Sequence, residues 1–320
     1  MGLRDLNSYQ IRIAPNPDNM KLVLAYALGR LSTTRRTRVG ITAHRVAVSV
    51  LRDPTVKCFV GGRELRLPLS HDLPVILATH PAYSDNLTRL VCATSGTIVD
   101  IGANVGDTWA FIRKVSDTPI LCVEGDSRFL PYLRHNIAGD TATEIAAVYV
   151  GGRDQVIKLD RRGTGGTAHL VAGSNDTRLV ALSSLLAAHP RFSTPGLIKI
   201  DTDGYEAEVL LGALDVLEKT RPVLFIEYDP ILIEPVSGDA RHLLDGLRQI
   251  GYEYAIAWDN YGAFLFSVDR AQFDVLYELH QYLSRPERPI FIDLALFHDR
   301  AAFELVRSCE RGPDFGGSFA

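Results

Sequence analysis

The sequence predicts an α/β fold, a mostly parallel sheet with helices on both faces, and three observations carry that expectation. Strand-like and helical segments alternate from Thr97 onward, the pattern of crossover units laid side by side. Several of the strand segments are near-continuous apolar runs, as strands buried on both faces are. The first of them, TIVDI, runs into GANVGD, a tight glycine turn that opens a helix.

Residues 1–95 read differently and are expected to form an N-terminal α/β extension. Lys21–Leu31 carries Leu22, Leu24, Ala25, Leu28 and Leu31 near helical spacing. Val46–Leu51 suits a strand. Val56–Leu67 (VKCFVGGRELRL) reads as a hairpin with Gly61-Gly62 as its turn. His80–Cys92 reads as a helix with Pro81 near its start.

The main domain is expected over residues 96–300. Its strands are Ile98–Ile101, Ile120–Val123, Glu144–Val150, Leu197–Asp201 and Val223–Glu227. Helices at Thr108–Val115, Arg128–Ile137, Tyr205–Leu217 and Ala240–Ile250 fill the gaps. Then the order changes. Glu253–Trp258 and Ala263–Val268 flank the turn-rich Asp259-Asn260-Tyr261-Gly262 and read as an antiparallel hairpin. A helix at Ala271–Leu283 and an apolar stretch at Ile290–Phe297 follow. Residues 301–320 are expected to be a C-terminal tail with a Gly-rich, mobile end. Arg161–Thr177 (RRGTGGTAHLVAGSNDT) reads as a solvated crossover loop, or as a flap over substrate that offers His169.

Composition narrows the function. Hydrophobic residues at 46% and charged residues at 22% exclude a mostly disordered chain. A formal charge of −4 leaves no general basic field for nucleic acid. Cys58, Cys92, Cys122 and Cys309 are scattered without a CxxC pair, which suits a reducing, cytoplasmic setting. No apolar run approaches the roughly 18 residues of a membrane span, and the N-terminus lacks the apolar core and cleavage site of a signal peptide. The histidines form no metal spacing, and no GxSxG elbow or Cys/His arrangement suggests a covalent nucleophile. The Arg35-Arg36-Thr37-Arg38 run reads as a solvated face, or as a contact for an acidic glycan, a phosphate or an anionic lipid surface.

In the glycine turn, Gly102, Ala103, Asn104 and Gly106 bend the chain and Thr108 stands near the helix start. Glycine allows that backbone and lets a ligand approach closely, and the N–H groups of a helix start suit a polar ligand group. A dinucleotide fingerprint would read G-x-G-x-x-G. Here the spacing is D-x-G-x-x-x-G, with Asp100 just before the first glycine. A carboxylate there repels a pyrophosphate and suits the ammonium and sulfonium of S-adenosylmethionine, so charge favours that cofactor over NAD. The second strand ends in Glu124, where an acid accepts ribose hydroxyls in nucleosides of either kind. Gly125 and Asp126 then lead into the next helix.

Two further strands end in acids. One stops at Asp201 and turns through Asp203-Gly204 into a helix near Glu206, and the next ends in Glu227-Tyr228-Asp229. Ligands in open α/β sheets lie beyond the carboxyl ends of the strands. Such acids can hold the cofactor ammonium, take a proton from a hydroxyl, or hold a hard divalent cation. Asp201, Glu206 and Asp203 are therefore the catalytic candidates, and Asp201 is also a cofactor contact. Asp201, Asp203 and Asp229 are the ligands for Mg²⁺ if a metal takes part, with a metal-free site preferred. Asp203 and Glu206 alternatively only favour a helix N-terminus. Lys199 either points away from the core or pairs with one of these acids.

VDIGANVGDT, CVEGDSRFLPYLRHNI, LIKIDTDGYEAEVLLGA and RPVLFIEYDP, in this order, resemble the FkbM family of S-adenosylmethionine-dependent methyltransferases over Leu65 to Pro230. The resemblance implies a Rossmann-like class I methyltransferase fold, a seven-stranded sheet with an antiparallel last strand. It also implies methyl transfer to hydroxyls of sugars, glycolipids, polysaccharides or macrolide-type natural products. It puts Asp100, Gly102, Asn104 and Gly106 in the cofactor turn, Glu124 at the ribose, and Asp201, Gly204, Tyr205 and Glu206 in the family's K-I-D-x-x-G-Y-E block. One position and one segment depart from the family. Asp203 stands where it usually has Glu, and its T-L-D-D-L-like segment is Ala181-Leu182-Ser183-Ser184-Leu185 here, without the acids. The rivals are a nicotinamide-dependent oxidoreductase and a non-catalytic nucleoside binder. The expected partner is a small-molecule or glycan acceptor. The N-terminal segment is the candidate homodimer element and carrier of acceptor specificity.

Overall fold

The computed structural model describes residues 48–163, 166, 169–287 and 290–310. The helix expected at Lys21–Leu31, the Arg35–Arg38 run, residues 311–320 and the His169 side chain lie outside the described residues.

Residues 48–50 are helical, not the strand expected over Val46–Leu51. The Asp53 N–H closes back on the Val48 carbonyl at 2.8 Å, and Val50 is left exposed with no sheet to join. The expected hairpin follows as β1 (Thr55–Val60) and β2 (Arg63–Pro68). Gly61 and Gly62 both take positive φ, as a two-residue turn matched to strand twist requires. Val56, Cys58, Val60, Leu65 and Leu67 alternate inward. Helices α1 (Leu73–Thr79) and α2 (Asp85–Ala93) complete the extension. α2 starts later than expected, because His80–Ser84 is spent on turns that leave Ser84 at φ 63°.

The main body runs β3 (Thr97–Ile101), α3 (Asp107–Val115), β4 (Ile120–Val123), α4 (Leu130–Asn136) and β5 (Thr143–Ala146). Next come β6 (Tyr149–Gly151), β7 (Gln155–Arg162), β8 (His169–Ala181) and α5 (Leu182–Ala188). The single strand expected over Glu144–Val150 is thus two, because the chain leaves one sheet after Ala146 and joins another at Tyr149. The segment expected as a solvated loop over Arg161–Thr177 is mostly strand. β7 and β8 pair antiparallel and, with β6, form a separate three-stranded sheet.

The remaining elements are β9 (Pro195–Ile200), α6 (Glu206–Leu211), α7 (Leu214–Thr220), β10 (Val223–Tyr228), α8 (Pro230–Ser237), α9 (Arg241–Gln249), β11 (Tyr254–Asp259), β12 (Phe264–Val268), α10 (Val275–Leu283), β13 (Ile292–Phe297) and α11 (Arg300–Glu310). The helix expected over Tyr205–Leu217 breaks at Gly212, where a Cβ would run into the Gly152 backbone. Residues 300–310, expected mostly as tail, are a helix whose Phe303 and Val306 pack against the body.

The large sheet has the order β12-β11-β13-β10-β9-β3-β4-β5. The strands β5, β4, β3, β9 and β10 run parallel, and β13 is inserted antiparallel between β10 and β11. These seven strands, with the last antiparallel, are the Rossmann-like class I methyltransferase arrangement, and β12 adds an eighth at the edge. Alternation along each strand feeds two cores. Val99 and Ile101 enter the cluster under α6, α9 and the outer sheet. Ile98 enters the cluster that the β1–β2 hairpin, α1 and α2 cover. The extension therefore caps one face of the sheet instead of standing apart. Among the described residues no helix is long and apolar enough to cross a membrane, and all four cysteines are unpaired.

Candidate functional site

A cavity of about 370 Å³ opens at the carboxyl ends of β3, β4, β9 and β10. The turn after β3 forms its first wall. Gly102 (φ 85°), Asn104 (φ 49°) and Gly106 (φ 93°) take left-handed backbone, and a Cβ on Gly102 would overlap the Asp201 carbonyl. The Gly102 and Ala103 N–H groups both donate to the Val123 carbonyl at 3.0 Å, and the Gly106 N–H donates to Ala103. These amides are thus satisfied within the protein, and what Gly102 gives a ligand is room for close approach. Thr108, in the first turn of α3, lines the cavity, whereas Ala103 and Gly106 support the turn from behind.

Glu124 braces this turn. One carboxylate oxygen accepts the Asn104 N–H at 2.8 Å and the other accepts the Asp126 N–H at 2.6 Å. Burial pushes its pKa up to about 7, against those two hydrogen bonds. Each oxygen keeps a second lone pair at the cavity wall, which fits the vicinal hydroxyls of a ribose. Gly125 carries the Tyr149 ring where a Cβ would stand. With Phe129, Val148 and Leu170 the ring makes an apolar slot beside Glu124.

Asp126 lines the same region but is engaged. Arg128 donates to it at 2.8 Å and Arg161, from β7, at 2.6 Å. Burial would raise its pKa, yet the two guanidiniums hold it below the usual carboxylate range. It anchors arginines instead of offering a bare carboxylate.

The extension reaches this wall through His71. Its Nδ1 accepts the Leu73 N–H at 3.1 Å, so its Nε2–H donates to Asn104 Oδ1 at 3.1 Å. Asn104 Nδ2 passes the chain on to the Gly166 carbonyl at 2.6 Å. Extension, glycine turn and the β7–β8 connection therefore meet at one asparagine.

Acids dominate the rest of the cavity, but not all the expected ones. Asp100 is fully buried and does not line it. Lys199 of β9 stands between, 3.5 Å from Asp100 Oδ1 and 3.0 Å from Asp201 Oδ2. Burial pushes Asp100 up to about 6 in spite of that partner. The expectation that Asp100 meets the cofactor cation directly is corrected, since its cation is Lys199. Glu206 is also turned away. It is 1% exposed and accepts the Thr202 N–H and hydroxyl at 2.6 and 2.8 Å and the Gly204 N–H at 3.0 Å. It pins the turn before α6 and is not a base for a substrate. Asp229 caps α8 by accepting the Ile231 N–H at 3.0 Å.

Asp201 and Asp203 do face the cavity, joined by Glu227. The Ile226–Ile200 register puts Glu227 beside Asp201, and Glu227 pairs directly with Asp293 across β13. Asp201, Asp203 and Glu227 each bring an oxygen within 4.8 Å of the others, so a metal set here would draw on Glu227 in place of Asp229. Burial and the neighbouring acids Asp201 and Asp203 push Glu227 well above the usual range, and burial pushes Asp293 up to about 7. Asp107, His71, Tyr83, Asn86 and Asp293 also line the site and were not among the sequence candidates. One signal was visible: the lone acids inside the apolar runs VLFIEY and FIDLALF. Ser183 and Ser184, at the departed family segment, do not line the cavity. Asp154 accepts from Ser184 Oγ and the Ala181 N–H at 2.6 and 2.7 Å.

Residues 100–254 match the family model described as the methyltransferase FkbM domain. Among solved structures, the chain aligns with the methyltransferase FkbM from Methylobacillus flagellatus at 14% identity, over 63% of this chain and 44% of that one, with a TM-score of 0.33. It aligns with precorrin-6y C5,15-methyltransferase from Geobacter metallireducens at 11% identity, over 66% and 85% of the two chains, with a TM-score of 0.36. An rRNA methylase from Streptococcus thermophilus aligns at 12% identity, over 66% and 93%, with a TM-score of 0.36. No protein of curated function matches.

Proposed function

Residues 100–254 belong to the methyltransferase FkbM domain family, and from that premise we propose that this chain methylates a hydroxyl of a sugar, glycolipid or natural product from S-adenosylmethionine. One observation carries the reading: a glycine turn braced by a ribose-type glutamate opens into the same cavity as a row of carboxylates. The lining fits that cofactor. Glu124 offers two lone pairs for vicinal hydroxyls, the Phe129–Tyr149–Leu170 slot suits a purine, and Gly102 leaves space that a side chain would fill. When bound, the cofactor supplies an electrophilic methyl on a sulfonium.

The chain itself contributes position, charge and proton acceptance. Lys199 holds Asp201 Oδ2 and so aims the other oxygen, Oδ1, at the cavity. Asp201 Oδ1 is the atom that takes the acceptor's hydroxyl proton, a role typically worth about 10²–10⁴-fold in rate. Asp107 and Asp201 give the mouth a negative field suited to a sulfonium. The extension covers the site and limits water, which strengthens those charges. No metal is needed for this chemistry, so EDTA should leave turnover unchanged. Loss restored by Mg²⁺ would assign Asp201, Asp203 and Glu227 to an ion instead.

The test has two parts. Calorimetry should show S-adenosylhomocysteine binding and no NAD binding. Asp201→Asn should then lower methyl transfer by about 10²–10⁴-fold while keeping S-adenosylhomocysteine affinity. Normal turnover in Asp201→Asn removes it as the base, and NAD binding in place of S-adenosylhomocysteine ends the whole reading.

A further inference from the structure

We propose that the cavity end away from the glycine turn is a subsite for a cationic acceptor, a hydroxylated molecule whose protonated amine is held between Glu227 and Asp293. This rests on the methyl-transfer reading of the same cavity and names the class of molecule it takes.

Strand order locates the subsite. Glu124 follows β4, while Glu227 is on β10 and Asp293 on β13, three and four strands across the sheet. At about 4.8 Å per strand, these two acids stand roughly 14 and 19 Å from the strand that carries Glu124. A ribose held by Glu124 does not reach them. Their register fixes them side by side on one face of the sheet.

Charge then selects the ligand. Asp107, Asp201, Asp203, Glu227 and Asp293 face the cavity, and the one lysine that lines it among the described residues, Lys199, is engaged by Asp100 and Asp201. Among the described residues no cation pairs with Glu227 or Asp293. Asp293 receives a single neutral hydrogen bond, from Asn86 Nδ2 at 2.9 Å. Asn260 Oδ1 is buried without a hydrogen-bond partner among the described residues, and Asn86 spends its own Oδ1 on the Leu87 N–H. Aromatic faces complete the lining. Tyr261 is stacked on His80 with ring centroids 3.4 Å apart, and Phe291 lies on the same wall. Two adjacent, partly desolvated acids, an unpaired amide oxygen and aromatic rings call for a ligand rich in N–H donors and positively charged. A neutral polyol hydrogen-bonds the acceptors but leaves two adjacent acids that resist ionising together, as their upward pKa shifts reflect. An ammonium satisfies both.

Except for Glu227, the distinctive groups come from residues 83–86 and 259–293, outside the matched segment 100–254. The two flanks of the domain thus supply what is particular to this acceptor.

The experiment titrates the full chain, saturated with S-adenosylhomocysteine, against glucosamine, galactosamine and mannosamine and their N-acetyl forms, by calorimetry and saturation-transfer NMR. Each pair differs in whether the nitrogen is charged. At least one free amine should bind about tenfold or more tightly than its N-acetyl form. In the Glu227→Gln/Asp293→Asn variant that preference should vanish, with S-adenosylhomocysteine affinity unchanged as proof of a folded site. No amine preference in any pair, or a preference that survives the double variant, overturns the proposal. Displacement of the bound amine by MgCl₂ also overturns it, in favour of a metal at these acids. Failure of S-adenosylhomocysteine to bind is a separate readout, which rejects the methyl-transfer reading on which the subsite rests.

Discussion

Lys199 shows how a single side chain redirects a site. It sits on a strand otherwise built of apolar residues and turns toward two acids, one buried behind it and one in front. Among the described residues neither Asp100 oxygen has a hydrogen-bond partner, and Lys199 is the cation that offsets its charge. Lys199→Met should destabilise the fold by about 3–5 kcal/mol, because it strands a buried carboxylate. Urea denaturation measures this, and Asp100→Asn added to Lys199→Met should restore most of the loss. Destabilisation that Asp100→Asn does not relieve would mean the pair is not coupled. The acids at this edge were legible in the sequence as a group, since strand ends gather side chains into one place. Their individual directions were not. Asp100 is covered by Lys199, its register partner on β9, and Glu206 folds back on its own turn. Neither fact is written in spacing, because both depend on what the neighbouring strand presents.

At the scale of elements, strongly periodic segments were readable and polar ones were not. β3, β4, β9 and β10 announce themselves as apolar runs between turns. α9 does so by burying Leu243, Leu244 and Leu247 while Arg241 and Arg248 face out. The β7–β8 hairpin hides behind its glycines and polar residues. Gly173 is needed because a Cβ there would collide with Asp160, whose carboxylate gathers the Ser174 and Asn175 N–H groups at 2.9 and 3.2 Å. Tertiary fit, not loop chemistry, put that glycine there. α8 is a similar case: Asp229 reads as a site acid in sequence and acts as a cap. Asp229→Ala should cost about 1 kcal/mol of stability and leave S-adenosylhomocysteine affinity unchanged, as thermal melts and calorimetry would check. A large fall in that affinity would put Asp229 back at the site.

Over the whole molecule, three buried carboxyls share one tendency. Burial raises Glu124, Glu206 and Asp293 each to about 7. An acid whose folded pKa lies above its unfolded value stabilises the fold below the unfolded value, near 4. That contribution is lost as the pH climbs through the folded one. The ligand-free protein should therefore melt higher at pH 5.5 than at pH 8, by roughly 5 °C for a chain of this size. A melting point that is flat or rising over that interval would show that these acids ionise freely. The class of the sheet was legible from the alternation of segments, and its seven strands with an antiparallel last one came with the family resemblance. The hairpin that brings in β12 was legible as well, but its place at the sheet edge and the docking of the extension on one face were not, since both are long-range choices. Asn86 donating to Asp293 joins positions 207 apart in the chain. That bond and the central placement of β13 have a bearing on biosynthesis. A ribosome delivers β10 and β11 well before the strand that must lie between them, so the nascent sheet waits with an open slot at its middle. Until residues 292–297 emerge and slide in, β11 and β12 cannot dock on the rest of the sheet and the Asp293 wall of the pocket is missing, so this gap is the last to close.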